Sequence, residues 1–218
     1  MSLLERFLDP ASTSLKICGV TVAAEGERLA GMGVDALGAN FWPKSKRYLD
    51  PANAGWLESL AGRILRVGVF VNTDADHAIG LLQKGLIDAI QLHGDETPAD
   101  AAPYRDGHLP FIKAVGVAAS EHLADAEAYG ALALLMDAHA PGVYGGTGET
   151  FDWNTAVDFQ TQHPDLPVIL AGGITPDNAA QAVDAVHPAA LDVASGAELS
   201  PGIKDFDKVS RLLDAVRA

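Results

Sequence analysis

Residues 168–196 read VILAGGITPDNAAQAVDAVHPAALDVASG and show the repeating pattern from which the fold follows. A short apolar run, 168–171, ends at two glycines. Thr175 and Pro176 then form a helix start signal ahead of an alanine-rich segment. A second apolar run follows at 190–194. Continuous apolar runs separated by a helix are typical of parallel strands whose two faces are both covered.

The same alternation extends from about residue 14 to the end of the chain. It predicts eight strands, at 15–18, 36–41, 65–71, 89–92, 111–115, 133–136, 168–171 and 190–194. Eight strand-then-helix units within residues 14–218 predict a single α/β domain with the (β/α)8 TIM barrel fold. An open doubly wound sheet is the structural alternative. Residues 1–13 are expected to form a short N-terminal helical extension, ending near Pro10, that covers the floor or the edge of the barrel.

Charge and cysteine content argue against several classes of function. The chain has 15 basic and 29 acidic residues, a net charge of −14, whereas binding to nucleic acid requires a basic face. No apolar run is long enough to cross a bilayer, so no membrane association is expected and the expected location is cytoplasmic. Cys18 is the only cysteine, which excludes a disulfide within the chain, and no cysteine-histidine cluster has the spacing of a metal site.

Start signals predict where several helices begin. Threonine is expected to cap the helices after the first, third, fourth and seventh strands, and aspartate the last helix, at Thr21, Thr73, Thr97, Thr175 and Asp205. Proline follows two of these threonines at the first helical position.

Polar residues cluster where the predicted strands end, and in a barrel of this type those ends meet at one mouth. The residues expected to face it are Lys16, Cys18, Asn40, the segment 45–48, Asn72, Gln91, His93, Asp95, Lys113, Asp137 and Asp192. The sequence therefore places a candidate site at the carboxyl end of the barrel.

Glycines indicate a phosphate site within that mouth. Gly172 and Gly173 follow the seventh strand, and Ser195 and Gly196 follow the eighth. Glycine lets the backbone approach an anion, and the loops after strands 7 and 8 are the usual phosphate position on this fold. A Gly-Gly pair can also be a plain tight turn. The glycine-rich segment 144–148 after the sixth strand is expected to be mobile or to approach a ligand closely.

Two residues at the mouth fit acid-base chemistry on different atoms of a ligand. Cys18 ends the first strand just before a helix, whose N-terminus is expected to lower the pKa of the thiol. Asp137 follows the sixth strand, so its carboxyl group should emerge at the rim. A buried apolar cysteine and an ordinary loop aspartate are the alternatives. His93 is a competing base, because imidazole titrates near neutral pH, although a hydrogen-bonded rim histidine is the alternative there.

Seven segments together resemble the phosphoribosylanthranilate isomerase family in order and spacing. They are KICGVT at 16–21, SKRY at 45–48, VGVFVN at 67–72, IQLHGDE at 90–96, MDAHAPGVYGGTGETFDW at 136–153, LAGGITPDN at 170–178 and DVASGAELSPGIKD at 192–205. The resemblance covers nearly everything from residue 15 onward. The combination of KICG, GGTG with FDW, and PGxKD is specific, whereas any one segment alone is not.

The resemblance implies an Amadori rearrangement of a small phosphosugar, N-(5'-phosphoribosyl)anthranilate, in tryptophan biosynthesis, with no cofactor and no metal. It implies Asp137 as the general acid and Cys18 as the general base. It also implies that Arg47 contacts the anthranilate portion, that Asp192 lies near the sugar hydroxyls, and that the phosphate is held by Gly172, Gly173, Ser195 and Gly196. A monomer or a homodimer is expected.

Departures from the family pattern affect the expected anthranilate pocket. Lys46 stands where proline is common, and Asn40 and Trp42 differ from the usual end of the second strand.

Two other function classes stay open. One is another phosphosugar enzyme, a metal-dependent epimerase or indole-glycerol-phosphate synthase. These would need converging histidines and aspartates, or several lysines and glutamates. The other is a non-catalytic phosphosugar-binding regulator, against which the presence of both Cys18 and Asp137 speaks.

Overall fold

The computed structural model describes residues 1–117, 123, 126–138 and 152–218. Eight parallel strands close into a barrel in chain order, and the first strand pairs with both the second and the eighth. The strands are β1 Ser14–Cys18, β2 Ala36–Asn40, β3 Leu65–Phe70, β4 Ala89–Leu92, β5 Phe111–Gly116, β6 Ala133–Asp137, β7 Val168–Leu170 and β8 Ala190–Val193. The predicted (β/α)8 barrel is confirmed, and closure excludes the open sheet.

Every predicted strand boundary lies within one residue of the observed one. The physical reason is burial. All six positions of β3 and all five of β6 are buried, because one face of each strand fills the barrel lumen and the other is covered by helices. Such strands appear in the sequence as continuous apolar runs with sharp polar ends.

Seven α-helices lie in the described residues: α1 Leu3–Phe7, α2 Ala23–Met32, α3 Ala75–Gln83, α4 Ala102–Asp106, α5 Asn154–Gln162, α6 Ala179–Val186 and α7 Phe206–Arg217. Short 3-10 turns occur at Pro51–Asn53, Gly55–Leu60, Ala126–Tyr129 and Ser195–Ala197. A hairpin, β9 Glu198–Ser200 with β10 Ile203–Lys204, follows the last barrel strand. Among the helices in these ranges, none has the length and apolar character needed to cross a membrane.

The predicted helix starts are wrong at four of five positions. Asp205 caps α7 as expected, accepting from the backbone N–H groups of Asp207 and Lys208. The other caps are Val22, Asp74, Ala101 and Asn178, one to four residues later than expected. Thr21 is used in a tertiary contact instead: its hydroxyl donates to the Gly202 carbonyl at 3.1 Å. The hydroxyls of Thr73, Thr97 and Thr175 bond to groups two or three residues away.

Helix α1 closes the amino end of the barrel, opposite the mouth. The Phe7 side chain is fully buried. It packs in one cluster with lumen-facing residues that include the first positions of four strands, Ala36, Leu65, Ala133 and Ala190. Ser2 and Glu5 form a capping box that starts the helix. The extension therefore acts as a plug for the barrel floor.

Candidate active site

A cavity opens at the carboxyl ends of the strands and contains about 740 Å³ of unoccupied space, including its open side. Its described lining comes from the strands β1, β2, β3, β6 and β8 and from the segments that follow β1, β2, β3, β4, β7 and β8. Of the predicted site residues, seven line it: Cys18, Arg47, Asp137, Gly172, Gly173, Asp192 and Ser195.

Gly196 is the predicted site residue that does not line the cavity. It packs behind the mouth, where a Cβ atom would lie only 1.9 Å from the carbonyl oxygen of Ile174. The absence of a side chain thus lets the loop after β8 lie directly against the loop after β7. Its contribution is to the shape of the two loops.

Lys16 lies beneath the cavity and is completely buried. Its Nζ donates to Oδ1 of Asp192 and to Oε1 of Gln91, both at 2.9 Å. Burial alone would lower the pKa of Lys16, but attraction to Asp192 and Cys18 outweighs it and raises the pKa. Lys16 is therefore a permanent ammonium ion below the mouth. Gly38 provides the space, since a Cβ there would lie 2.7 Å from Cys18 Sγ and 3.2 Å from Lys16 Nζ.

The expected lowering of the Cys18 pKa is wrong in the ligand-free protein. Burial raises the pKa of the thiol, the negative charge of Asp192 adds to the rise, and the ammonium groups of Lys16 and Lys204 only partly oppose it. The sequence argument relied on the N-terminus of the next helix, but α2 begins only at Ala23. Desolvation at the bottom of the mouth dominates.

Two charged neighbours of the candidate site, Glu198 and Lys204, were missed by sequence reasoning. Glu198 accepts from Arg47 Nε at 2.8 Å, from Arg47 Nη2 at 2.7 Å and from Lys204 Nζ at 2.7 Å. Lys204 Nζ also donates to the carbonyl of Cys18. Hydrogen bonds from Arg47 and the charge of Lys204 lower the pKa of Glu198, although burial alone would raise it. A signal was present: a glutamate and a lysine flank the Pro201-Gly202 turn, and β9 and β10 pair them.

Asp137 is buried at the end of β6 and contacts the histidine that follows β4. His93 Nε2 lies 3.3 Å from Asp137 Oδ2. The other ring nitrogen, Nδ1, lies 2.8 Å from Nε2 of Gln91. The candidate acid and the competing base are thus direct neighbours in one arrangement.

Lys113 does not face the mouth, which corrects the sequence expectation. Its neighbours along β5, Ile112 and Ala114, point into the lumen, and successive side chains of a strand point to opposite faces. Lys113 Nζ instead donates to Glu96 at 2.8 Å and to the Gly94 carbonyl at 2.7 Å, outside the barrel lumen. Asn72 and Asp95 bond each other beyond the lining.

The phosphate site expected at the glycine loops needs one correction. Gly172 and Gly173 both have positive φ angles, +80° and +64°, and both line the cavity. The helix expected to start at Thr175 begins at Ala179, so its N-terminus does not adjoin the glycines. The expectation of phosphate binding therefore rests on the backbone N–H groups of the two loops. The glycine-rich segment 144–148 lies outside the described residues.

Within residues 1–117, 126–138 and 152–218, no group of three or more histidine, cysteine, aspartate or glutamate side chains could hold a metal ion. The polar groups of the described mouth are instead an ammonium ion, carboxylates, a guanidinium, an imidazole and a thiol.

Comparisons with known proteins agree on one family. The sequence profile of N-(5'phosphoribosyl)anthranilate (PRA) isomerase matches residues 15–215. A relative from Acidithiobacillus ferrooxidans, named N-(5'-phosphoribosyl)anthranilate isomerase, is 42% identical over 208 residues, 93% of this chain and 97% of its own. A relative of the same name from Citrifermentans bemidjiense is 43% identical over 202 residues, 92% of this chain and 95% of its own.

Solved structures give the same result. Phosphoribosyl anthranilate isomerase from Thermotoga maritima superposes with a TM-score of 0.84 at 34% identity, covering 94% of this chain and 98% of its own. A second isomerase structure, in complex with reduced 1-(o-carboxyphenylamino)-1-deoxyribulose 5-phosphate, has a TM-score of 0.79 at 31% identity, with the same coverage. The chain belongs to the N-(5'-phosphoribosyl)anthranilate isomerase family.

Proposed function

We propose that this chain isomerises N-(5'-phosphoribosyl)anthranilate to 1-(2-carboxyphenylamino)-1-deoxyribulose 5-phosphate in tryptophan biosynthesis, with Asp137 as general acid and Cys18 as general base. The observation that carries the catalytic assignment is that both side chains line one cavity, from β1 and β6. In the ring, β1 and β6 are three positions apart, with β7 and β8 between them. An acid and a base on different sides of a ligand can act on different atoms of it.

The reaction needs only proton transfers and the breaking of one carbon-oxygen bond. The protonated Asp137 carboxyl gives its proton to the ribose ring oxygen as the C1–O bond breaks, which opens the ring to an iminium. The Cys18 thiolate then removes the proton from C2, and the electron pair of that bond forms an enolamine. This enolamine takes a proton at C1 and loses the C2 hydroxyl proton to become the ketone. Each positioned group contributes ~10²- to 10⁴-fold.

The binding roles follow from the charges around the cavity. The Arg47 guanidinium is the group suited to the anthranilate carboxylate, since its planar donors match a carboxylate. Asp192 is proposed to contact the sugar hydroxyls through Oδ2, because Lys16 engages Oδ1. The backbone of Gly172, Gly173 and Ser195 would hold the phosphate, with Gly196 shaping the loop.

Turnover of freshly prepared N-(5'-phosphoribosyl)anthranilate, followed by the loss of its fluorescence, tests this function. The purified chain should convert the substrate without added metal or cofactor, and a chelator should leave the rate unchanged. No turnover by a sample with the circular dichroism of a folded α/β protein would refute the proposal. The oligomeric state, monomer or homodimer, and the cytoplasmic location stay predictions.

A further inference from the structure

A continuous chain of polar contacts crosses the floor of the cavity and joins the two sides of the mouth. We call it the mouth chain, and its members are Asp192, Lys16, Gln91, His93 and Asp137. The successive distances are 2.9 Å from Asp192 to Lys16, 2.9 Å from Lys16 to Gln91, 2.8 Å from Gln91 to His93 and 3.3 Å from His93 to Asp137. The first member is a proposed sugar contact and the last is the proposed acid.

The directions of the two Gln91 hydrogen bonds follow from Lys16, which can only donate. The Gln91 atom that faces Lys16 must therefore be the carbonyl oxygen, so the amide NH2 group faces His93. An amide NH2 group cannot accept, so His93 Nδ1 must accept from it and carries no proton. A neutral imidazole has one N–H group, and here it must be on Nε2. The ammonium of a buried lysine thus sets the tautomer of a histidine two contacts away.

We propose that His93 is a positioning residue, held as the neutral Nε2–H tautomer by Lys16 and Gln91, which donates to Asp137 and orients this acid toward the substrate. The proposal deepens the proposed function and rests on the role of Asp137 in it. His93 is thereby removed as a candidate base, because Nδ1 is occupied and Nε2 carries the proton.

The tautomer matters for the chemistry of Asp137. An oxygen that accepts from the Nε2–H group is not the one that carries the acidic proton. Oδ2 faces His93, so the proton belongs on Oδ1, which lies beside the cavity-lining glycine Gly172: a Cβ built there would be 2.9 Å from Oδ1. A charged imidazolium at this position would instead favour the carboxylate and remove the acidic proton.

The backbone around His93 is firmly held, as a positioning role requires. The His93 N–H group donates to the Phe70 carbonyl at 2.8 Å. The following turn is clamped by Glu96, which accepts from the N–H groups of Asn72 and Gly94 and from Lys113 Nζ, at 2.7 to 2.9 Å. Lys113, which lies outside the mouth, thus helps to hold His93 inside the mouth through its contact with Glu96.

Nitrogen-15 NMR of the ring nitrogens tests the tautomer directly and does not depend on activity. The chain has seven histidines, so the His93 signals are assigned by difference from the H93Q spectrum. We expect an unprotonated Nδ1 and a protonated Nε2 in the ligand-free protein at neutral pH. A protonated Nδ1, as the other tautomer or as imidazolium, would overturn the proposal. In Q91E the new carboxylate oxygen can only accept, so Nδ1 should become protonated.

Kinetics of two substitutions test the role. H93A should lower kcat by about tenfold or more through the lost hydrogen bond, with a smaller change in KM. H93Q keeps an N–H donor near Nε2 but cannot titrate, and should recover most of that loss. An H93Q enzyme as slow as H93A would show that a proton on the imidazole moves, contrary to the proposal.

H77Q, on the exposed face of α3, is the matched control and should keep the wild-type rate. Lack of turnover by the wild type would refute the proposed function instead, and the NMR result would stand separately.

Discussion

Arg47 and Glu198, 151 residues apart in the sequence, form a two-point ion pair in which Nε and Nη2 of the guanidinium bond both carboxylate oxygens. These contacts use one edge of the guanidinium, so the Nη1 side is the part left for a ligand carboxylate. The Arg47 side chain is mostly covered, and that of Glu198 is almost fully buried. Glu198, which lies outside the segment SKRY, therefore sets the orientation of Arg47 and of the proposed anthranilate contact.

Replacement of Glu198 by glutamine should weaken substrate binding more than it slows the chemical step. The amide has one acceptor atom and no charge, so Arg47 loses a charge-assisted bond worth about 1.5–3 kcal/mol. We expect KM to rise about tenfold with a smaller change in kcat. R47K should behave similarly, and the double variant should be little worse than either. Additive effects of the two substitutions in this double-mutant cycle would show that Glu198 acts independently of Arg47.

C18S and D137N should each lower kcat at least about tenfold. Serine is a far weaker acid than cysteine, so it supplies almost no anionic base, and asparagine has no acidic proton to give. Binding of a phosphorylated product analogue, measured by calorimetry, should survive in both variants because the phosphate loops are untouched. Near-normal turnover of either variant would move its role to another residue.

The raised pKa of Cys18 predicts that its thiolate forms at higher pH in the folded protein than in the unfolded chain. Alkylation by iodoacetamide measures this, since Cys18 is the only cysteine and the thiolate is the reactive form. Below the pKa the thiolate fraction grows tenfold for each pH unit, so the alkylation rate of the folded protein should still be rising beyond pH ~8.5, the ordinary value for cysteine. The urea-unfolded chain is the reference. Equal apparent pKa values for folded and unfolded chain would contradict the prediction.

Truncation of Phe7 should destabilise the barrel without changing the mouth. F7A removes a fully buried aromatic side chain from the barrel floor and should lower the free energy of unfolding by about 3–5 kcal/mol. Urea denaturation followed by circular dichroism measures this. L3A, at a half-buried position of the same helix, should cost less. An unchanged midpoint for F7A would mean that the plug contributes nothing to stability, and a large change in KM would mean that its effect reaches the site.

The helix starts show how far local sequence signals can be trusted. Threonine before a polar helical segment is a sound cap signal, but Thr21 lies close to Gly202, 181 residues away, and bonds its carbonyl. The carbonyl that competes for the Thr21 hydroxyl belongs to a different part of the chain. Asp205 caps α7 as predicted because its own helix supplies both donors.

By itself, the sequence determined the eight strands, the order of the loops and most of the predicted residues that line the mouth. These depend on burial patterns and strand ends, which are local and repeat along the chain. Only the tertiary structure decided the face of Lys113, the direction of the Cys18 pKa shift, the Arg47–Glu198–Lys204 contacts and the mouth chain from Lys16 to Asp137. Each of these depends on desolvation or on partners distant in sequence, and both arise only when the barrel closes.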